Sequence, residues 1–410
     1  MNHRVKQLLL SVPLLALGGC ELNGTEPPYY QAAATLPDFR QPSFSEYVKE
    51  TTDWLQVERY VVGADKAYEI SVNAPREFRP HTPNGDGILL VHGLGDSPYS
   101  FVDIARHLSQ QGYLVRTMLL PGHGSKVGDL QLASDTQWQE SVAHQVSLLR
   151  QEVDNIWLGG YSTGANLVTS HALAHDEISG LILYSPAFKA QSKLLPLSEY
   201  AQYLVTWADR DPEHNRLRYE SLPMKAAVSY YQTTKRVRSL LSAKPIYNKP
   251  VFMVISEGDN VIDKAYASDV FQQQFTHPNA RLVWLGETPP DDPRAKAFSM
   301  KLPALRISEG SHMGALFAPD NREYGIAGRN RICSNGQPPV AEQACEAGAD
   351  VWYSSYGYTE EGKIHARLTY NPYFAESMQL LAQVLRTMPS PPSGSSDGDP
   401  NKRSASTTRL

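Results

Sequence analysis

Short apolar runs alternate with longer amphipathic stretches through the middle of the chain. GILLVHGL (87–94) precedes a helical periodicity over 98–111, YLVRTMLL (113–120) precedes one over 135–152, and NIWLGGYS (155–162) precedes one over 164–175, before ISGLILYSPA (178–187). Near-continuous Val, Ile and Leu runs separated by helices predict an α/β fold, a mainly parallel sheet with helices on both faces. After Pro186 the alternation stops. Residues 188–248, rich in Leu, Tyr and Lys, read as a helical cap inserted into the sheet domain, with no buried strand of its own. The strand pattern resumes at PVFMVISEGD (250–259), followed by a helix over 263–275, runs near 281–286 and 302–308, and a last helix over 373–387. The α/β domain is thus expected over 45–187 and 249–388.

The ends read differently. Arg4 and Lys6 precede an apolar stretch from Leu8 to Gly19, the charged and apolar regions of a secretory signal over 1–19. That stretch is too short for a membrane-spanning helix, which needs about 20 residues. Leu17-Gly18-Gly19-Cys20 resembles a bacterial lipoprotein signal, which implies a mature chain starting at a lipid-bearing Cys20. With Glu21 in place of Asp after it, the resemblance implies an outer-membrane anchor facing the periplasm. Residues 20–44 read as a tether rich in Pro, Ala, Thr and Gln, and 389–410, dominated by Ser, Pro, Asp and Gly, as a disordered tail. Cys333 and Cys345 remain, and in an oxidising compartment they are expected to pair as a structural disulfide within an irregular excursion over 317–360.

Composition narrows the class. With 41% hydrophobic and 20% charged residues the chain can bury a sizeable core. Its 38 Lys and Arg against 43 Asp and Glu give a charge of -5, the wrong sign for gripping a phosphate backbone, so no nucleic-acid partner is expected.

The candidate chemistry centres on Gly160-Tyr161-Ser162-Thr163-Gly164. A GxSxG string arises by chance in about one chain in seven of this length. Its position between an apolar run and an amphipathic stretch is what a strand-turn-helix nucleophile elbow requires. A serine hydroxyl needs a base, and the base needs a carboxylate to orient it. His312 in SEGSHMG and Asp259 at the end of PVFMVISEGD both fall just past strand runs, where catalytic groups of parallel sheets gather. Asp263 and Glu257 compete with Asp259, although Asp263 is more simply the cap of the following helix. His92-Gly93-Leu94-Gly95 follows the first long strand, and the Leu94 and Thr163 amides are assigned as oxyanion donors. His171 and His175 lie four apart but lack the rest of a metal motif, and the Gly-rich elbow lacks the Lys of a P-loop. No metal or cofactor is expected.

Taken together, GILLVHGLGDSPYSF, LLPGHGSK, GGYSTGANL, SEGDNVID and GSHMG resemble the α/β-hydrolase superfamily, and within it the branch of monoacylglycerol lipases, bacterial carboxylesterases and serine aminopeptidases. The chain order Ser162, Asp259, His312 agrees with that resemblance. It implies an α/β-hydrolase fold and a serine carboxylesterase or lipase acting on a small-molecule ester. Leu194, Leu195, Leu197, Tyr200, Tyr203, Leu204 and Trp207 of the cap suit an apolar acyl group, or else simply pack the cap onto the sheet. The alternatives are an aminopeptidase, whose substrate ammonium would need one of Asp209, Asp211, Glu213 or Glu220, and a non-catalytic envelope binding protein.

Overall fold

The computed structural model describes residues 26–386 apart from Pro245. The expected signal, its lipid-bearing Cys20 and the tail over 389–410 lie outside the described residues. In chain order the body runs α1 (Phe44–Glu58), α2 (Lys66–Asn73), β1 (Arg76–Phe78), β2 (Asp86–Val91), α3 (Val102–Gln110), β3 (Leu114–Met118), α4 (Asp135–Leu149), β4 (Asn155–Tyr161), α5 (Thr163–Ala174) and β5 (Ile178–Tyr184). The cap follows with α6 (Ser198–Ala201), β6 (Trp207–Asp209), β7 (Leu222–Pro223) and α7 (Met224–Ala243). The body resumes with β8 (Val251–Ser256), α8 (Lys264–Gln273), β9 (Arg281–Leu285) and β10 (Ala295–Phe298). Then come α9 (Pro339–Glu346), β11 (Trp352–Ser354), β12 (His365–Arg367) and α10 (Phe374–Leu385).

Eight strands form one sheet in the order β1-β3-β2-β4-β5-β8-β9-β10, parallel throughout except that β1 runs against β3. This is the α/β-hydrolase fold. The apolar runs are continuous because each strand is buried on both sides. Leu89, Val91, Leu158, Leu181, Leu183, Met253 and Ile255 face one core, which α4, α5, α7 and α8 cover. Ile88, Leu90, Trp157, Ile182, Tyr184, Phe252 and Val254 face the other, under α3 and α10. The period of two along each strand sends alternate residues to opposite layers, and either set lost to solvent would forfeit about 1.5–3 kcal/mol per large side chain.

Three segments depart from the expectation. The run over 302–308 is not a sheet strand, because Pro303 brings no N–H and Arg306 turns through φ 53, closing Leu302 onto Ile307 in a tight reversal. The strand that extends the sheet there is β10, whose sequence AKAF is too polar to read as a buried run. The cap is less helical than expected: α6 is one turn, and β6 and β7 form a short antiparallel ribbon around an extended strap over 210–221. Residues 26–43, the second half of the expected tether, lie against the body, where buried Tyr30 packs edge-on against Trp207 at 4.8 Å and the Ala33 amide donates to Asp129 at 2.6 Å. The aromatic content that a tether lacks is what fixes this segment.

The stretch before β1 is held by a buried ion pair, Arg59 with Glu69 at 2.9 Å. Arg59 also donates to the carbonyls of Gly124 and Arg216, so one guanidinium joins α1, the loop after β3 and the cap strap. The excursion forms a small lobe in which Cys333 and Cys345 are disulfide-bonded and, with Val351 and Ala366, make a separate core. No helix among the described residues is long and apolar enough to cross a membrane.

Two buried imidazoles shape the loop that follows β2. The Leu120 amide donates to His92 Nε2 at 3.0 Å, so Nδ1 carries the proton and faces the Gly93 carbonyl at 2.8 Å. His123 Nε2 accepts from the Gly95 amide at 3.0 Å. Both rings must be neutral for these bonds, and burial pushes His92 well down and His123 to about 4. Between pH about 6.5 and about 4 the unfolded chain therefore binds a proton that native His123 refuses, so stability complete above that window is lost as the pH falls through it. His123 alone should account for roughly 3 kcal/mol of that loss. His92 and His171, the latter also pushed to about 4 by burial, add to it in the same direction. Urea unfolding at pH 7 and pH 4.5 should show a smaller difference between the two conditions in His123→Gln than in the parent chain. An equal difference would mean that His123 does not titrate as its surroundings require.

Candidate active site

Ser162 ends the β4 run at the mouth of α5, with φ 54 and ψ -116, a backbone conformation that non-glycine residues avoid. The surroundings hold it there. Its amide donates to the Tyr184 carbonyl at 3.0 Å, and its own carbonyl accepts from Ala165 and Ala187 at 3.1 and 3.3 Å. The last glycine of the elbow has a steric cause: a Cβ on Gly164 would lie 2.0 Å from the Val91 carbonyl oxygen, so only hydrogen lets α5 start against the end of β2. Ser162 is 8% exposed.

Asp259 follows β8 and is buried. Its Oδ1 accepts from the amides of Val261 and Ile262 at 2.9 and 3.2 Å, which leaves Oδ2 to face His312 Nδ1 at 2.6 Å. The other face of that imidazole reaches Ser162, with Nε2 at 3.0 Å from Oγ. A carboxylate accepts, so Nδ1 carries the hydrogen and Nε2 is free to take the serine proton. Ser185, at φ 42, donates through its hydroxyl to the His312 carbonyl at 3.0 Å and fixes the loop from beneath. The loop also needs Gly258, because a Cβ there would stand 2.3 Å from the Gly310 carbonyl oxygen.

The competing carboxylates have other work. Asp263 caps α8 through the Tyr266 amide at 3.0 Å and pairs with Lys189 at 2.7 Å. Glu257 accepts from the Thr288 amide at 2.9 Å and from the Trp284 indole at 3.3 Å.

The Gly93 loop presses on Ser162, since a Cβ on Gly93 would lie 3.2 Å from Ser162 Cβ. In that loop the Gly95 amide is held by His123 and the Asp96 amide by the Gly93 carbonyl. Among the described residues no hydrogen bond engages the amides of Leu94 or Thr163, the two assigned as oxyanion donors. His123, Ser185, Asp96 and Arg218 are neighbours of the site that the sequence reading passed over. His123 lies in LLPGHGSK, Asp96 in GILLVHGLGDSPYSF and Ser185 near the end of ISGLILYSPA, whereas no quoted stretch contains Arg218. Asp96 is buried against the Gly93 loop, and burial pushes its carboxyl up, opposed by Arg218 and His312. His171 and His175 stack at 4.2 Å, and no group of three or more metal-ligating side chains occurs among the described residues.

Comparison with known proteins places the fold among known families. The family model described as Hydrolase_4, serine aminopeptidase S33, matches residues 83–285. A thermostable monoacylglycerol lipase from Bacillus sp. (strain H-257) is 25% identical over 191 residues, which span 45% of this chain and 75% of that protein. Among solved structures, the metagenome-derived lipolytic enzymes LipS and LipT give a match with TM-score 0.46 at 18% identity, covering 54% of this chain and 91% of the other. The Paleococcus ferrophilus monoacylglycerol lipase matches with TM-score 0.42 at 19% identity, covering 52% and 87%. The sheet order is that of the α/β-hydrolase fold, and the chain is similar to the branch of monoacylglycerol lipases and serine aminopeptidases within it.

Proposed function

We propose that the protein is a serine hydrolase that cleaves carboxylic esters through an acyl-enzyme. The observation that carries this reading is the unbroken relay from Asp259 to His312 at 2.6 Å and from His312 to Ser162 at 3.0 Å. Ser162 Oγ attacks the ester carbonyl as its proton passes to His312 Nε2, and Asp259 steadies the imidazolium that forms. The carbonyl oxygen, now negative, is met by the Leu94 and Thr163 amides, a pair whose single loss typically costs about 3–4 kcal/mol of transition-state stabilisation. His312 returns the proton to the leaving alcohol. Water then repeats the sequence on the acyl-serine.

Two observations favour an ester over an aminoacyl substrate. Tyr200, Tyr203 and Leu204 of the cap are 74%, 82% and 86% exposed, so these members of the apolar series do not pack the cap onto the sheet and remain available to an apolar group. Of the carboxylates an aminopeptidase would draw on, Glu213 accepts from the Glu220 and Ser221 amides at 3.0 and 2.9 Å, and Glu220 from the His214 and Asn215 amides at 2.5 and 3.2 Å. Both are occupied in holding the strap. The non-catalytic alternative would have no need of the strained serine.

The reading includes a cell-envelope location, with the lipid carried by Cys20, and the Cys333–Cys345 disulfide supports an oxidising compartment. In a bacterial host, radiolabelled palmitate should enter the chain and be absent from Cys20→Ser; equal incorporation in both would remove the anchor. A fluorophosphonate should label Ser162 in the folded protein, and Asp259→Asn should lower kcat about 10⁴-fold while Asp263→Asn leaves it nearly unchanged. No adduct, or the reverse order of the two variants, would undo the assignment. Purified protein should turn over p-nitrophenyl esters faster than aminoacyl anilides at matched concentration; faster anilide cleavage would put the aminopeptidase first.

A further inference from the structure

The Leu94 amide, one of the two assigned oxyanion donors, lies between two peptide groups that are each held by hydrogen bonds. The Gly93 carbonyl accepts from the Asp96 amide at 3.2 Å and faces His92 Nδ1 at 2.8 Å, and across that trans peptide the Leu94 N–H points the other way. Gly95, at φ 76, comes next. Its amide donates to His123 Nε2 at 3.0 Å, and its carbonyl accepts from the Tyr219 amide of the cap strap at 2.7 Å. Both partners lead back to one side chain. His123 is followed by Gly124, whose carbonyl accepts from Arg59 Nη1. Tyr219 lies shortly after Arg216, whose carbonyl accepts from Arg59 Nη2 at 2.6 Å. The strap and the loop after β3 also touch directly, where the Tyr219 ring stacks on His123 at 6.2 Å and its hydroxyl donates to the Gly122 carbonyl at 3.4 Å.

A closed circuit of this kind needs a donor that serves three acceptors in fixed directions. Arg59 turns Nε and Nη2 to Glu69 Oε2 at 3.2 and 2.9 Å while it holds the two carbonyls. A planar guanidinium meets that demand, and an ammonium, with its charge at one point, does not. Both Arg59 and Glu69 are buried, so water cannot stand in for a lost partner. The Asn73 side chain, at the end of α2, gives the Arg216 carbonyl a second donor at 2.9 Å. An ion pair alone would occupy only Glu69; the two carbonyls are what give Arg59 a bearing on the site. We propose that Arg59 is a positioning residue for the oxyanion loop: through the Gly124 and Arg216 carbonyls it fixes Gly95 from both sides and so sets the direction of the Leu94 amide. The inference rests on the serine-hydrolase reading, which gives that amide its task. A preset donor matters most to the negative oxygen of the tetrahedral state and little to the neutral carbonyl of the bound ester. Misdirecting it therefore lowers kcat and spares KM.

The test uses the purified full chain, with p-nitrophenyl butyrate as substrate and propyl trifluoromethyl ketone as inhibitor, whose adduct with Ser162 puts a charged oxygen where the donors are assigned. Active sites are counted by the end point of fluorophosphonate labelling, so unfolded molecules do not enter the rates. Arg59→Lys keeps a charge beside Glu69 and loses the fork. In it kcat should fall and the inhibitor Ki should rise by the same factor of about ten, short of the roughly 10²–10³ of deleting a donor outright, with KM unchanged. Arg116→Lys, at a buried arginine on β3 that pairs with Glu77 and Glu152, should lower thermal stability without moving Ki. Asn73→Ala removes one of the two donors to the Arg216 carbonyl and leaves Arg59 in place, and should raise Ki about three-fold. A Ki unmoved in Arg59→Lys, or in Asn73→Ala where Arg59→Lys does not fold, overturns the positioning role and leaves the hydrolase standing. An equal rise in Arg116→Lys overturns it as well. A parent chain that neither cleaves the ester nor takes the fluorophosphonate removes both readings together.

Discussion

Of the described glycines, Gly164 leaves least room for a side chain: the first turn of α5 rests on the carbonyl oxygens of Val91 and His92 with only a glycine hydrogen between them. That contact fixes the distance between the end of β4, which presents the Ser162 hydroxyl, and the end of β2, which presents the Leu94 amide. A nucleophile and the dipoles that answer its developing charge must be set before the reaction begins, because reorganising them during it would raise the barrier. In the proposed reaction that setting would be done by main-chain packing, which cannot relax by changing a rotamer. The φ of 54 at Ser162 is a strain that the surrounding bonds hold in place.

Around this contact the site is closed by groups that must stay uncharged. His92 and His123 serve as hydrogen-bond acceptors for main-chain amides, a role available only to a neutral imidazole. Both are fully buried, and that keeps them neutral. His312, by contrast, is placed between the Asp259 carboxylate and the Ser162 hydroxyl. Two kinds of histidine therefore lie within one small region, distinguished by their surroundings and not by residue type.

The sheet and the elbow were legible in the sequence because both rest on short-range patterns: strands buried on two faces leave unbroken apolar runs, and an elbow leaves glycines flanking a serine. Asp259 follows such a run directly, whereas the run before His312, over 302–308, is one that the fold turns into a tight reversal. What could not be read comes from contacts between distant segments. Nothing local marks Arg218 as the neighbour of Asp96, which lies on another element, or Ser185 as the support of His312. The reversal over 302–308 was misread because Leu302 and Ile307 supply the composition of a strand while Pro303 and Arg306 supply its interruption. The segment over 26–43 was read as a tether from its prolines, whereas Tyr29 and Tyr30 give it a surface to bind with.

β5 and β8 are hydrogen-bonded neighbours, with Leu181 opposite Val251 and Tyr184 opposite Val254, although more than sixty residues of cap separate them in the chain. The sheet thus closes beneath the cap as though the intervening chain were a loop, and the elements that bear Ser162 and Asp259 meet without its help. The insertion is still not free of the sheet, because its helix α7 packs into the same core as α5 and Asn166 of α5 donates to Thr233 of α7 at 3.1 Å.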